Sequence, residues 1–226
     1  MIESRQLSPV WIRNLLALSY SLCLASCCMH KELPNLPSHW RGKEITANQF
    51  KDKKSPRAQV IIMYGKHFCS HTALRLYVPG KGAMFWDPGG GYSTKHLSHA
   101  VRSSDVIKNK APSIDQYIQW RHDSKLPVNG IEIFDYTLTG KQALELWAIL
   151  DQGGVAKNHP KYPFNTNAVG LFCGHSVSNF VERFLGNKVK VRQDFLPHNL
   201  SAQLYQQSFD QLIIYRNRQY ALYKNQ

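Results

Sequence analysis

Acidic residues are scarce in this chain. Fifteen Asp and Glu stand against 28 Lys and Arg among 226 residues, a formal charge of +13. Such a surplus points to polyanionic surroundings, whether nucleic acid, anionic lipid head groups or acidic cell-wall polymers. The cations are scattered rather than clustered and no nucleic-acid module is present, so nucleic acid is not expected as a partner. Long apolar runs are also missing: the stretch 15–23 is too short to span a bilayer. Cysteines number only five, and no zinc-type spacing connects them. His67, Cys69 and His71 alternate, with His96 and His99 nearby, but the pattern matches no standard metal motif. The glycines 89–91 lack the Lys-Ser/Thr and the following helix of a phosphate loop. No repeat and no second domain is visible. With 43% hydrophobic and 19% charged residues, the chain reads as one folded domain of ordinary size.

What is present begins at the N-terminus. Arg5 and Arg13 precede the apolar stretch, which ends in Leu24-Ala25-Ser26-Cys27. That ending resembles the bacterial lipobox, which implies a signal peptide over residues 1–26 and diacylation of Cys27 as the mature N-terminus. Losing Arg5, Arg13 and Glu3 would lower the charge from +13 to +12. Cys23 would leave with the signal, so Cys28, Cys69 and Cys173 remain. Three thiols cannot all pair, and no disulfide scaffold is expected. Residues 27–58, rich in Pro and Lys, read as a tether, and 59–226 as the domain.

Within the domain, the residues 60–64 form a β-type run and Thr72, Leu74 and Leu76 alternate with His71, Ala73 and Arg75. A Pro-Gly-containing turn then returns the chain through 83–87, so Asp87 should close a hairpin near the start of the His71 strand. The residues 131–136 predict another strand. Ser113 can cap a short helix through Trp120. Thr139 and Gln142 form a capping box for a helix to Gln152, and Gly153-Gly154 stops it. Residues 92–112 carry no clear pattern, Leu196-Pro197 reads as a break, and 209–222 as either a helix or a strand.

The chemistry concentrates at Phe172-Cys173-Gly174. Val177, Phe180, Val181 and Phe184 follow at one helical face, and Cys173 falls on that face in the first turn. The unpaired N–H groups of a helix start favour a thiolate there. Such a thiol is a nucleophile if a histidine faces it, and otherwise a small core residue.

Ser70-His71-Thr72-Ala73 on a strand, ahead of Phe172-Cys173-Gly174 and Val177, resembles the circularly permuted branch of the NlpC-type papain-like superfamily. That branch includes YiiX/YaeF-like bacterial proteins and lecithin retinol acyltransferase, and its histidine strand precedes its cysteine helix. The Leu138-Thr139 helix entry and Pro197-x-x-Leu200 are also similar. Gly174-His175 departs from the more usual Ser/Ala-Glu/Asp, which bears on substrate rather than fold. The resemblance spans roughly residues 60–200. It implies an α+β fold in which an antiparallel sheet packs against the helix carrying the nucleophile. It also implies Cys173 as nucleophile, His71 as base and Asp87 as the residue that orients His71, with no cofactor and no metal. His175, two residues further along the helix, is expected to point away from the Cys173 face, on the surface or substrate rim.

The function so implied is an envelope-anchored cysteine hydrolase acting on an amide, with peptidoglycan stem peptides the first substrate class. A lipid ester hydrolase or acyltransferase of the same fold is the alternative. A lipoprotein that binds cell wall or a partner without catalysis is the reading from outside enzymology. Beyond a cell-wall peptide or lipid substrate and the membrane reached through Cys27, the sequence names no partner and no oligomeric state.

Overall fold

The computed structural model describes residues 36, 40–46, 54–65, 70–88, 92, 101–103, 105–108, 111–124, 128–151, 173–194 and 196–224. Nine strands, β1 (Lys43–Ile45), β2 (Arg57–Gly65), β3 (His71–Val78), β4 (Gly82–Trp86), β5 (Val101–Ser103), β6 (Val106–Lys108), β7 (Val128–Thr137), β8 (Gln211–Arg216) and β9 (Gln219–Lys224), form one sheet. Its order is β1-β9-β8-β7-β2-β3-β4-β6-β5, and every neighbouring pair is antiparallel. Four helices complete the described residues: α1 (Ile114–Asp123), α2 (Gly140–Asp151), α3 (Cys173–Phe184) and α4 (Pro197–Tyr205). The architecture is therefore mixed α+β.

Strand β2 sits near the middle and is buried along its whole length. A strand covered on both faces needs apolar residues at successive positions, which explains its continuous Val-Ile-Ile-Met run. Its even positions Ala58, Val60, Ile62 and Tyr64 join one core with Leu74 and Trp86 from the sheet. Ala143, Leu146, Val177, Phe180, Val181, Leu200 and Leu204 from α2, α3 and α4 close that core. The odd positions Ile61 and Met63 join a second core, with Ala73, Phe85 and the α1 residues Ile114, Tyr117 and Ile118. Among the described residues, three helices thus cover one face and a single helix the other.

The expected strands at 60–64, 71–77, 83–87 and 131–136 have counterparts in this sheet, the third ending at Trp86 with Asp87 just beyond it. Both capping boxes form. Ser113 accepts from Gln116 N–H at 3.2 Å while Gln116 accepts from Ser113 N–H at 2.9 Å, and Thr139 and Gln142 repeat the exchange at the start of α2. The final stretch is a hairpin, β8–β9.

One expectation needs correction. The segment 27–58 is not only a tether, because Lys43–Ile45 adds an edge strand to β9. Trp40 packs on the first core, its ring 5.6 Å from Phe209 and 5.9 Å from Tyr205. Gly42 lets this happen, since a Cβ there would sit 2.4 Å from the Tyr223 ring. A Pro- and Lys-rich composition hides three residues whose pairing energy comes from a distant strand.

A buried carboxylate lies in the first core. Glu132 accepts from Tyr64 at 2.9 Å, Ser201 at 2.6 Å and Tyr205 at 2.6 Å. Burial lifts its pKa from 4.5 to about 7, against the hydrogen bonds from Ser201, Tyr205 and Tyr64, which pull it down. The folded state therefore holds a proton that the unfolded state releases between those values. The stability it contributes is complete below about 4.5 and is lost as pH rises through 7. At 1.36 kcal/mol per unit the loss is ~3 kcal/mol. Glu132→Gln removes the titration, so denaturant midpoints should show the variant gaining on the wild type by about that amount as pH climbs to 8. A gap that does not change with pH would contradict this account.

Candidate active site

Cys173 is the first residue of α3. Val177, Phe180 and Val181 bury that helix against the sheet, each side chain contributing about 1.5–3 kcal/mol. Phe180 sets its ring 5.4 Å from Trp86 on β4. Because Cys173 shares this face, its thiol points at the sheet and is only 7% exposed. Ser178 ties the helix to the segment that follows it, accepting from Asp194 N–H at 2.8 Å. The apolar run that precedes the helix lies outside the described residues.

His71 opens β3, its side chain 12% exposed. The β3–β4 ladder pairs Leu74 with Trp86 and Arg75 with Phe85. Carried one pair further, it sets Asp87 opposite Ala73, a diagonal neighbour of His71 on the same face. The side chains meet: His71 Nε2 lies 2.8 Å from Asp87 Oδ1. With Nε2 committed to the carboxylate, Nδ1 is the ring nitrogen left for the thiol.

Asp87 is fully buried and is held from the second core. The Tyr117 hydroxyl donates to Oδ1 at 2.8 Å and the Tyr92 N–H to Oδ2 at 3.3 Å. Tyr117 is itself wedged among Phe85 and Tyr92, at ring distances of 4.6 and 5.3 Å. Burial, then the Asp87 charge, hold the phenol well above its usual value, so it remains a donor. The three groups therefore straddle the sheet. Cys173 comes from the three-helix layer, Asp87 is anchored by α1 in the opposite layer, and His71 bridges them at the strand's end.

The electrostatics follow from that contact. Burial alone would raise the Cys173 thiol, but the charge and hydrogen bond of His71, with the N–H and hydroxyl of Thr72, bring it below its ordinary value. Burial alone would lower His71, but the Cys173 sulfur and Asp87 raise it to about 10. Each shift has the other group as its leading favourable cause, which is the signature of a thiolate–imidazolium pair.

The structure thus brings all three residues singled out in the sequence into one constellation. His175, in contrast, is half-buried and bonded through Nε2 to Gln193 at 2.6 Å. Burial lowers its pKa, which keeps it neutral, and it stands beside the dyad rather than in it. Tyr117, Tyr92 and Thr72 were not flagged by the sequence. Tyr117 offered only its helical spacing with Ile114 and Ile118, a core signature.

Cys27, Cys28, Cys69, His67, His96 and His99 lie outside the described residues. Among the described residues no group of three or more His, Cys, Asp or Glu could hold a metal ion. None of the described helices is long and apolar enough to cross a membrane. Comparison with protein-family models, with curated proteins and with solved structures returns no match for this chain.

Proposed function

We propose that the chain is a thiol hydrolase of permuted papain-like type, attached to a bacterial envelope through Cys27. The observation that carries the reading is the triad: a nucleophile at a helix start, coupled to a strand histidine whose far nitrogen is fixed by a buried carboxylate. A merely structural cysteine has no need of an oriented imidazole. The order of the chain, with the histidine strand ahead of the cysteine helix, supports the permuted form.

The chemistry runs as follows. The Cys173 thiolate attacks a carbonyl carbon, and the π pair moves onto oxygen. The N–H groups of the first turn of α3, which have no partner within the helix, are placed to receive that charge. His71 gives its proton to the departing nitrogen, the C–N bond breaks, and an acyl thioester remains on Cys173. Water then attacks the thioester while His71 takes its proton, the C–S bond breaks, and a carboxylic acid leaves. Asp87 stays ionised throughout, orienting His71 and stabilising its charge.

The substrate class proposed is the peptide amide of cell-wall stems, because a charge of +13 suits an acidic wall. The test offers purified protein muropeptides and phospholipid vesicles in parallel and searches Cys173 for a covalent acyl group by mass spectrometry. A peptidyl adduct supports the amide reading. A fatty-acyl adduct replaces it with lipid-ester chemistry, and no adduct from either leaves the binding lipoprotein as the better account. Attachment has its own check: Cys27→Ala should move the protein wholly out of the membrane fraction, and unchanged partition would remove the anchor.

A further inference from the structure

Asp87 Oδ1 takes two partners at once. The Tyr117 hydroxyl donates to it at 2.8 Å, and His71 Nε2 lies 2.8 Å from the same atom. Oδ2 accepts the Tyr92 N–H at 3.3 Å, while the main-chain N–H of Asp87 donates to Asp105 O at 2.9 Å. A carboxylate accepts through lone pairs that lie near its own plane. Donors on both oxygens therefore fix the plane of the group as well as its place. The phenol is fixed in turn, its ring 4.6 Å from Phe85, 5.3 Å from Tyr92 and 5.5 Å from Trp120. It leaves α1 one turn after the Ser113 cap. Arg75, on the same strand as His71, donates through Nε to Pro112 O at 3.2 Å, just ahead of that cap. The start of α1 is thus tied to β3 by two routes, one through Arg75 and one through Asp87 and His71. Packing in this cage needs only a ring, which phenylalanine would supply, and the hydroxyl goes to the oxygen that His71 uses.

We infer that Tyr117 is a positioning residue of the triad: through Asp87 it holds the His71 ring in the orientation that lets Nδ1 meet the Cys173 sulfur. Without the hydroxyl, the carboxylate is free to turn toward the Tyr92 N–H and away from Nε2. The inference rests on the thiol-hydrolase reading and extends its triad into the layer opposite the nucleophile. The charged and titratable groups facing Asp87 and Tyr117 are His71, Tyr92 and Arg121, the last one turn further along α1.

The test is a double-mutant cycle on the full chain, read as the rate of Cys173 alkylation by iodoacetamide between pH 5 and 8. Tyr117→Phe keeps the ring and removes the donor, and Tyr117→Leu serves if the phenylalanine variant does not fold. Near pH 6 the variant should react several-fold more slowly than the wild type, and its profile should lie between those of the wild type and Asp87→Asn. Added to Asp87→Asn, Tyr117→Phe should slow the reaction by less than about twofold further, because the group it acts through has already lost its charge. Coincident profiles for the wild type and Tyr117→Phe would make Tyr117 a packing residue only and leave the hydrolase reading standing. Losses that multiply in the double variant would show that Tyr117 does not act through Asp87, and would equally overturn the inference. A wild-type profile like that of a free thiol overturns both the inference and the hydrolase reading.

Discussion

Cys173→Ser should abolish turnover, on whichever of the two substrate classes the wild type cleaves, by a factor on the order of 10³ or more. In the wild type the pair favours transfer of the proton to the ring before attack, because Cys173 is drawn below its ordinary pKa while His71 is drawn up to about 10. A serine hydroxyl at that place stays protonated, and His71 would have to remove its proton during attack. Circular dichroism and the melting temperature should barely change, because sulfur and oxygen differ little in volume. Retention of more than about a tenth of the activity would mean that Cys173 is not the nucleophile.

His71→Ala should alter reactivity without substrate. A free thiol near pKa 8.5 loses thiolate tenfold for each unit below that value. The wild-type pair exists above the lowered thiol pKa and below about 10, where the imidazolium discharges. It is lost as pH falls through the first limit and as pH rises through the second. Alkylation of Cys173 by iodoacetamide should therefore persist to lower pH in the wild type than in a free thiol. In His71→Ala it should fall 10- to 100-fold by pH 6, since the leading cause that offsets the burial of Cys173 is then gone. Asp87→Asn should lie between the two, because an amide still accepts from Nε2 but no longer supplies charge. Coincident profiles for wild type and His71→Ala would break the dyad.

The parts of this molecule that were legible in the sequence are those whose cause is local. Alternation marked β3, a continuous apolar run marked β2, the Ser113 cap marked the start of α1 and the Thr139–Gln142 box the start of α2. The dyad was legible because each member stands at the end of a recognisable element. Other features depend on partners far along the chain. The β8–β9 turn uses Asn217 and Arg218, both at positive φ, without the glycine that normally announces such a hairpin. Pro197 read as a break, yet it is the first residue of α4, where its missing N–H costs nothing. Tyr117 is 30 residues from the carboxylate it supports, and no spacing rule connects them.

The edge strand β1 limits where the hydrolase proposed above could work. Were the chain free from Cys27 to the domain boundary at residue 58, it would form a leash of roughly 100 Å when drawn out. Leu36, Trp40 and Lys43–Ile45 are instead stitched to the domain, which puts nine residues of chain between the proposed anchor Cys27 and the first packed side chain. Fully extended, these span at most about 30 Å. Held by a lipid at Cys27, as proposed, the domain would sweep only a thin shell above the bilayer, and bonds deeper in the wall would have to come to it.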